Sequence, residues 1–394
     1  MEKVPLYQVI MQDLTEKIER GDWQKGEAIS TEAELERQYA VSNITVRRAL
    51  NELGQRGLIV RIKGKGSFVS EGLPAADTAV QGVANSRVIS LIVPFDSSTG
   101  SAMHIIRGLT ECINGSGFMV NVVNSKSDKE LEREMLLSCW RDSAGIIFYP
   151  ITAQCNMDIL CMMAAAKYPV VIIDKNLGQL PFCCIESDNL GGSYAITEYL
   201  IRKGHSNIAF VNHTPIEYTT SMTNRFHGYV SALSDNGIDL CVENIFSDYN
   251  ALAKKYCPNA YRDLQENNGL VDSFEEFYRM LIQKLLDRKV TAVFSTHDGL
   301  AADLIKIAPL MGVKIPSDLS VVGFDNLLFS AHLAVPLTTV NQNLHEMGYK
   351  AGMVLIGGLD QRVPIRKADI LIPTEIVERE SVRDLSPQKM VAGA

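Results

Sequence analysis

The chain has 394 residues, 46% of them hydrophobic and 21% charged, which is globular composition and excludes a disordered or collagen-like chain. Its length predicts two or three domains, and no stretch approaches the roughly 20 apolar residues of a membrane helix, so no membrane partner is expected. The net charge is −8, yet the basic residues Arg47, Arg48, Arg56, Arg61, Lys63 and Lys65 face Glu52 alone between 42 and 66, a local surface suited to a polyanion.

Met1-Glu2-Lys3-Val4-Pro5 opens no signal-peptide pattern. The eight cysteines show no CxxC pairing and no histidine at metal-ligand spacing. A cytoplasmic chain with reduced thiols, and without metal or cofactor, is therefore expected.

In chain order, Val9, Ile10, Leu14 and Ile18 recur at helical spacing and predict a helix over about 5–20. Thr31-Glu32-Ala33-Glu34 has the capping-box form and opens a second helix that runs to about Tyr39. Ala40-Val41 makes a tight connection, and Ser42 caps a third helix over 43–56. Two short helices joined by such a turn make a helix-turn-helix whose second member can enter a major groove. Asn43, Thr45, Arg47 and Arg48 stand in its first two turns, while Val46, Ala49, Leu50 and Leu53 form its inward stripe. Leu58–Ile62 and Ser67–Val69 flank Lys63-Gly64-Lys65-Gly66, a hairpin with a basic tip that completes a winged helix-turn-helix.

Over these residues the chain resembles the GntR family of bacterial transcription regulators. The resemblance rests on Pro5-Leu6-Tyr7, Ser30–Leu35, Tyr39–Ser42, Thr45–Leu50, Gly57-Leu58-Ile59 and Gly64–Val69. It implies double-stranded operator DNA as a partner, contacted by Tyr7, Glu32, Ser42, Asn43, Thr45, Arg47, Arg48, Lys63, Lys65 and Ser67. Asn43 stands where the family commonly has Arg. Asn reads adenine where Arg favours guanine, so a different operator is expected.

The predicted organisation is a DNA-binding domain over 1–70, a linker over 71–86, a large domain over 87–380 and a C-terminal tail over 381–394. The large domain alternates apolar runs with helical stretches: Val88–Val93, Phe118–Val123, Ala144–Phe148, Pro169–Ile173, Ile208–Val211, Thr291–Phe294 and Leu319–Phe324. That pattern predicts parallel sheets in an α/β architecture, and its length predicts two lobes. Segment 251–273 reads as an insertion.

Open parallel sheets bind ligands beyond the C-terminal ends of their strands. The residues just past the runs are Phe95 and Asp96, Tyr149, Asp174, Asn212 and His213, His297 and Asp298, and Asp325-Asn326. Acids outnumber bases there, with Arg225 the clearest cation, which favours a neutral polyhydroxyl ligand. No GxGxxG, GxSxG, HExxH or Walker sequence occurs. A sugar-binding enzyme and a transport-type binding protein remain as alternative readings.

This region resembles the LacI-type effector domain, relative of periplasmic sugar-binding proteins. The resemblance rests on Asn224–Tyr229, Thr296–Ala301, Gly312–Pro316, Val321–Asn326 and Pro336–Gln342. It implies an α+β winged helix-turn-helix domain followed by a two-lobed, periplasmic-binding-protein-like α/β domain with parallel sheets, in a repressor that is not an enzyme. Asp174, Arg225, His297 or Asp298, Asp325 and Gln342 would contact the effector, with Phe95, Asp96, Tyr149 and His104 completing the set. The pairing of the two types is similar to that of arabinose-responsive repressors. It implies a small neutral sugar, L-arabinose or a related pentose, and a homodimer on a two-fold operator.

Overall fold

The computed structural model describes residues 6–24, 26–55, 58–62, 66–69, 86–94, 100–152, 154–178, 180–256, 271–361 and 363–387. The chain forms two compact units, residues 1–84 and 85–394. The expected linker, except for Ser86, and residues 257–270 of the expected insertion lie outside the described residues.

The first unit contains α1 (Leu6–Arg20), α2 (Glu32–Tyr39), α3 (Asn43–Gln55), β1 (Ile59–Ile62) and β2 (Gly66–Val69). The capping box forms: the Thr31 side chain accepts from the Glu34 amide, and the Glu34 carboxylate accepts from the Thr31 amide. Ala40 takes the left-handed conformation at φ 50°, which ends α2 and turns the chain into α3. Val46, Ala49, Leu50 and Leu53 of α3 are fully buried against Ile10 and Leu14 of α1 and Leu35 of α2. Each large side chain so buried contributes about 1.5–3 kcal/mol. β1 and β2 pair antiparallel from Ile59↔Val69 to Ile62↔Gly66, and Ala28 bridges Phe68 on the other side.

The second unit holds two sheets of six strands each. Its elements run β3 (Val88–Val93), α4 (Ser101–Ile113), β4 (Met119–Asn124), α5 (Lys129–Asp142), β5 (Gly145–Phe148), α6 (Met157–Ala165), β6 (Val170–Ile173) and β7 (Cys183–Ser187). They continue as α7 (Asn189–Arg202), β8 (Ile208–Val211), α8 (Thr220–Asp235), β9 (Ile245–Phe246), α9 (Tyr249–Tyr256), α10 (Val271–Asp287), β10 (Ala292–Ser295) and α11 (Asp298–Ile307). The last are β11 (Ser320–Asp325), β12 (Thr338–Asn341), α12 (Leu344–Gln361), β13 (Ala368–Ile372) and β14 (Glu375–Val377).

The first-lobe sheet has the order β13-β7-β6-β5-β3-β4 and is parallel throughout. The second has the order β14-β12-β11-β10-β8-β9, parallel except for β14 against β12. Its strands β8, β10 and β11 are largely apolar on both faces, as parallel strands covered by helices must be. Ala209, Val211, Val293 and Val321 enter one core, and Ile208, Phe210, Phe294, Val322 and Phe324 enter the other. On the first lobe, α4 and α12 cross so closely that a Cβ on Gly108 would stand 1.9 Å from the His345 carbonyl oxygen.

The chain passes between the lobes three times, after β7, after β12 and after β13. The three passages are tied to one another. The Ser187 hydroxyl donates to the Gln342 carbonyl at 2.8 Å, the Asn343 amide to the Pro373 carbonyl at 2.7 Å, and the Asp188 N–H to the Ile372 carbonyl at 2.9 Å.

All seven apolar runs are strands, but β7, β9, β12, β13 and β14 stand outside the predicted set. Residues 381–387, expected as part of a tail, are fastened to the second lobe. The buried Ser381 hydroxyl accepts from the Thr338 amide at 2.8 Å, and the Leu385 N–H donates to the Lys203 carbonyl at 2.7 Å.

Candidate functional site

A cavity of about 640 Å³ opens between the lobes, within the 300–1,000 Å³ usual for small-molecule sites. The first lobe lines it with Tyr149, Asp174 and Lys175, and the second with His213, Arg225, His297 and Asp325. Gln342 and Leu344, at the passage after β12, complete it. Strand ends deliver most of these groups, as expected for parallel sheets.

Asp174 follows β6 at φ 67° and Asp325 ends β11 at φ 136°, both left-handed conformations that a non-glycine residue rarely adopts. Such backbone outliers gather at ligand sites, where the surrounding fold enforces them.

Arg225 is 2% exposed, and its ionic head is satisfied by the protein. Its Nε donates to Asn189 Oδ1 at 2.8 Å, one Nη donates to the Thr296 carbonyl, and the Asp325 carboxylate lies 3.8 Å away. The guanidinium carbon sits 3.8 Å from the Phe324 ring centroid. Burial lowers its pKa, against the pull of Asp325 and Asp174. Burial also pushes the Asp325 carboxyl up, to about 8, although Arg225 and the Gln342 amide that donates to it both favour the anion.

Across the cavity, the Tyr149 hydroxyl is hydrogen-bonded to Asp174, and burial with that carboxylate holds the phenol well above its ordinary range. Lys175 Nζ donates to the Pro150 carbonyl at 2.7 Å and lies 4.6 Å from the Tyr149 ring centroid. Burial lowers its pKa while Asp174 and Glu132 oppose the shift.

His297 caps α11. Its Nδ1 accepts from the Leu300 N–H at 3.3 Å, so its proton sits on Nε2, 3.0 Å from His213 Nδ1. His213 therefore accepts at Nδ1 and carries its own proton on Nε2. Burial keeps both imidazoles below their ordinary pKa, hence neutral. Lined by fixed acceptors, donors and apolar walls, the cavity suits a neutral molecule with several hydroxyls.

Six of the expected effector residues thus meet: Tyr149, Asp174, Arg225, His297, Asp325 and Gln342. Two do not line the cavity. Asp298 is fully buried behind it, where its carboxylate accepts from the Thr339 hydroxyl and from the Leu327 N–H at 2.8 Å, pinning β12 and the segment after β11. His104 lies on α4 one turn beyond the cavity-lining Ser101, its pKa lowered by burial and by Arg107 and His345. Phe95 and Asp96 lie outside the described residues. Sequence reasoning passed over Lys175, one residue beyond a strand-end aspartate, over Thr219 and Ser221 at the start of α8, and over Asp248, two residues past β9, a strand outside the predicted set.

In the first unit, two of the nominated residues on α3 are bonded back to α2. Arg47 Nε donates to Glu32 Oε2 at 3.0 Å, and the Asn43 side-chain nitrogen donates to Glu36. The Ser42 and Thr45 hydroxyls are 3.0 Å apart. The Arg48 guanidinium stacks 3.9 Å from the Tyr7 ring centroid, so these two engage each other. Ser67, expected at the DNA surface, is 8% exposed and hydrogen-bonded through its carbonyl to the Ile29 N–H at 2.9 Å; the packing of the hairpin on residues 27–29 covers it. Lys63 and Lys65 lie outside the described residues.

Residues 6–69 match the family described as bacterial regulatory proteins, gntR family. Residues 86–256 match periplasmic binding proteins and sugar binding domain of LacI family, and residues 197–382 match the periplasmic binding protein-like domain. The chain is a transcriptional regulator with a GntR-type reader and a LacI-type effector domain. The arabinose metabolism transcriptional repressor of Geobacillus stearothermophilus is 27% identical over 388 residues, covering 97% of this chain and 99% of that one. The HTH-type transcriptional regulator DegA of Bacillus subtilis is 27% identical over 354 residues, covering 88% of this chain and 96% of that one. Both are regulators rather than enzymes. The chain also agrees in fold with solved regulators. A transcriptional regulator CelR–cellobiose complex superposes with TM-score 0.62 at 21% identity over 86% of this chain and 91% of that one. CcpA of Lactococcus lactis gives 0.63 at 22% identity over 76% of this chain and all of that one. No helix among the described residues is long and apolar enough to cross a membrane.

Proposed function

We propose that this regulator is a repressor that binds operator DNA through α3 and its wing and is released when a small neutral sugar, L-arabinose or a related pentose, enters the cavity between the lobes. The observation that carries the reading is the cavity itself, where Asp174 and Tyr149 of one lobe face Arg225, Asp325 and His297 of the other, with Gln342 at the passage between. Carboxylates and the Gln342 side-chain oxygen accept from vicinal hydroxyls, while the Lys175 ammonium supplies donors. The near-full-length likeness to a repressor of arabinose metabolism supports L-arabinose as the first candidate.

A sugar touching both lobes favours their closed arrangement, and its differential affinity for the two states sets how far operator affinity moves. Asn43, Thr45 and Arg47 reach base edges and Ser42 and Arg48 hold phosphate, in a homodimer on a two-fold site. Fluorescence anisotropy on the chain's own promoter DNA, titrated at fixed salt with and without L-arabinose, tests this. Tight binding that arabinose releases is the expected result; Arg47→Ala weakens the binding by about tenfold or more. Binding that ignores arabinose removes that sugar from the reading, and an unchanged affinity in Arg47→Ala removes Arg47 from the reader.

A further inference from the structure

The reading helix carries an amide whose orientation is forced. Asn43 opens α3, and its side-chain nitrogen donates to Glu36 Oε1, with Glu32 Oε2 a further 3.4 Å neighbour. An ionised carboxylate only accepts hydrogen bonds, so the nitrogen end of the amide must face α2. The oxygen end then faces away from that carboxylate, and it is the end that the proposed placement of α3 offers to the operator. One turn along α3, Arg47 is held by the same Glu32 at 3.0 Å. Two carboxylates from α2, one turn apart, thus face an amide and a guanidinium from α3, also one turn apart.

An unconstrained Asn reads adenine with both ends of its amide, accepting from N6–H and donating to N7. Here both hydrogens of the amide nitrogen face carboxylates, one donated to Glu36 and the other directed at Glu32 at 3.4 Å. The major-groove edges of guanine and thymine offer no amino group, whereas adenine offers N6–H and cytosine N4–H.

We infer that Glu36 is a specificity-determining residue of the reader: by engaging the Asn43 amide nitrogen together with Glu32 it leaves Asn43 an acceptor that selects a base with a major-groove amino group, adenine or cytosine. The inference rests on the proposed placement of α3 at the operator. Glu36 touches no base in it and acts as a positioning residue for Asn43. Its removal frees one of the nitrogen's two hydrogens to reach N7, a gain open to adenine and closed to cytosine.

The test is selection from a randomised duplex library at fixed salt by the full chain and three variants. Asn43→Ala flattens one position of the enriched motif and so marks the one that Asn43 reads. In the wild type that position holds adenine and cytosine, each enriched about tenfold over guanine and thymine. In Glu36→Ala the ratio of adenine to cytosine at that position rises by about five- to tenfold, and the other positions keep their preferences. Glu36→Gln, which keeps the side-chain length but can donate as well as accept, gives an intermediate ratio. Guanine or thymine at the marked position overturns the inference, as does a ratio that both Glu36 variants leave unchanged. So does an Asn43→Ala variant that flattens no position. If the wild type itself enriches no motif, the reader assignment falls and the inference with it, an outcome distinct from a motif with the wrong base.

Discussion

Burial holds the Asp325 carboxyl at about 8, far above its ordinary value of 3.8, so the folded chain keeps a proton that the unfolded chain releases. Between about pH 4 and 8 the native state binds more protons, and stability falls as pH rises through that window. Glu186, raised to about 7 by burial, contributes in the same direction. Asp325→Asn cannot ionise and loses its share of the decline. The drop in melting temperature between pH 5 and pH 7, followed by circular dichroism, is expected to be about 5 °C smaller in the variant than in the wild type. Equal slopes would remove the buried proton from Asp325. The same residue illustrates what single positions disclose in a sequence: a polar or aromatic residue just past a strand end nominates a cavity-lining position, and Asp174, Asp325 and Tyr149 are legible in that way. Asp298 fits the pattern equally well, yet its carboxylate is consumed by Thr339 and Leu327. Whether a strand-end acid turns into the cavity or behind it depends on neighbours 29 and 41 positions away, and no local pattern carries that.

Among the elements, the contact between α4 and α12 has the least room. Gly108 and Gly348 each stand where a Cβ would strike the other helix's backbone, at 1.9 Å from the His345 oxygen and 2.1 Å from the Ile105 oxygen. Backbone cannot yield as a flexible side chain does. Gly108→Ala is therefore expected to force the helices apart and lower stability by about 1–3 kcal/mol, read by urea unfolding; Gly357→Ala, with nothing within 4 Å, is the control. Unchanged stability in Gly108→Ala would mean that the crossing relaxes without loss. Elements also differ in how they announce themselves. α1, α2, α3 and the seven apolar strands carry their own periodicity or caps. β7 reads Cys-Cys-Ile-Glu-Ser and β12 Thr-Thr-Val-Asn, too polar to stand out, and their pairing with strands formed elsewhere in the chain makes them strands.

For the effector unit taken whole, the three tied passages between lobes leave relative rotation as the simplest motion, with the cavity at its centre. A sugar that binds the closed arrangement also stabilises it. At a concentration 100 times its Kd, L-arabinose is expected to add about 2.7 kcal/mol, raising the melting temperature by several degrees, and small-angle X-ray scattering should show a smaller radius of gyration. A rise in melting temperature without compaction would indicate binding within one lobe alone. The two-lobed architecture was legible because the strands' apolar runs repeat along the chain, whereas the partition of strands between lobes was not. The final first-lobe strand, β13, pairs with β7 from Cys183↔Ala368 onward, across most of the second lobe's sequence.

That pairing has a consequence during synthesis. The ribosome delivers the chain from its N-terminus, and at about 5–20 residues per second roughly 10–40 s separate the emergence of β7 from that of β13. Throughout that interval β7 is an open sheet edge, and α12, which covers Ile89, Leu91, Val171 and Ile185 with Leu344, Met347, Ala351 and Leu355, does not yet exist. The first lobe to be translated is thus completed only after nearly all of the second has been made. A nascent chain stalled between residues 190 and 340 exposes a bare apolar face of the kind that chaperones bind, while the winged helix, whose core closes within the first 69 residues, is already complete.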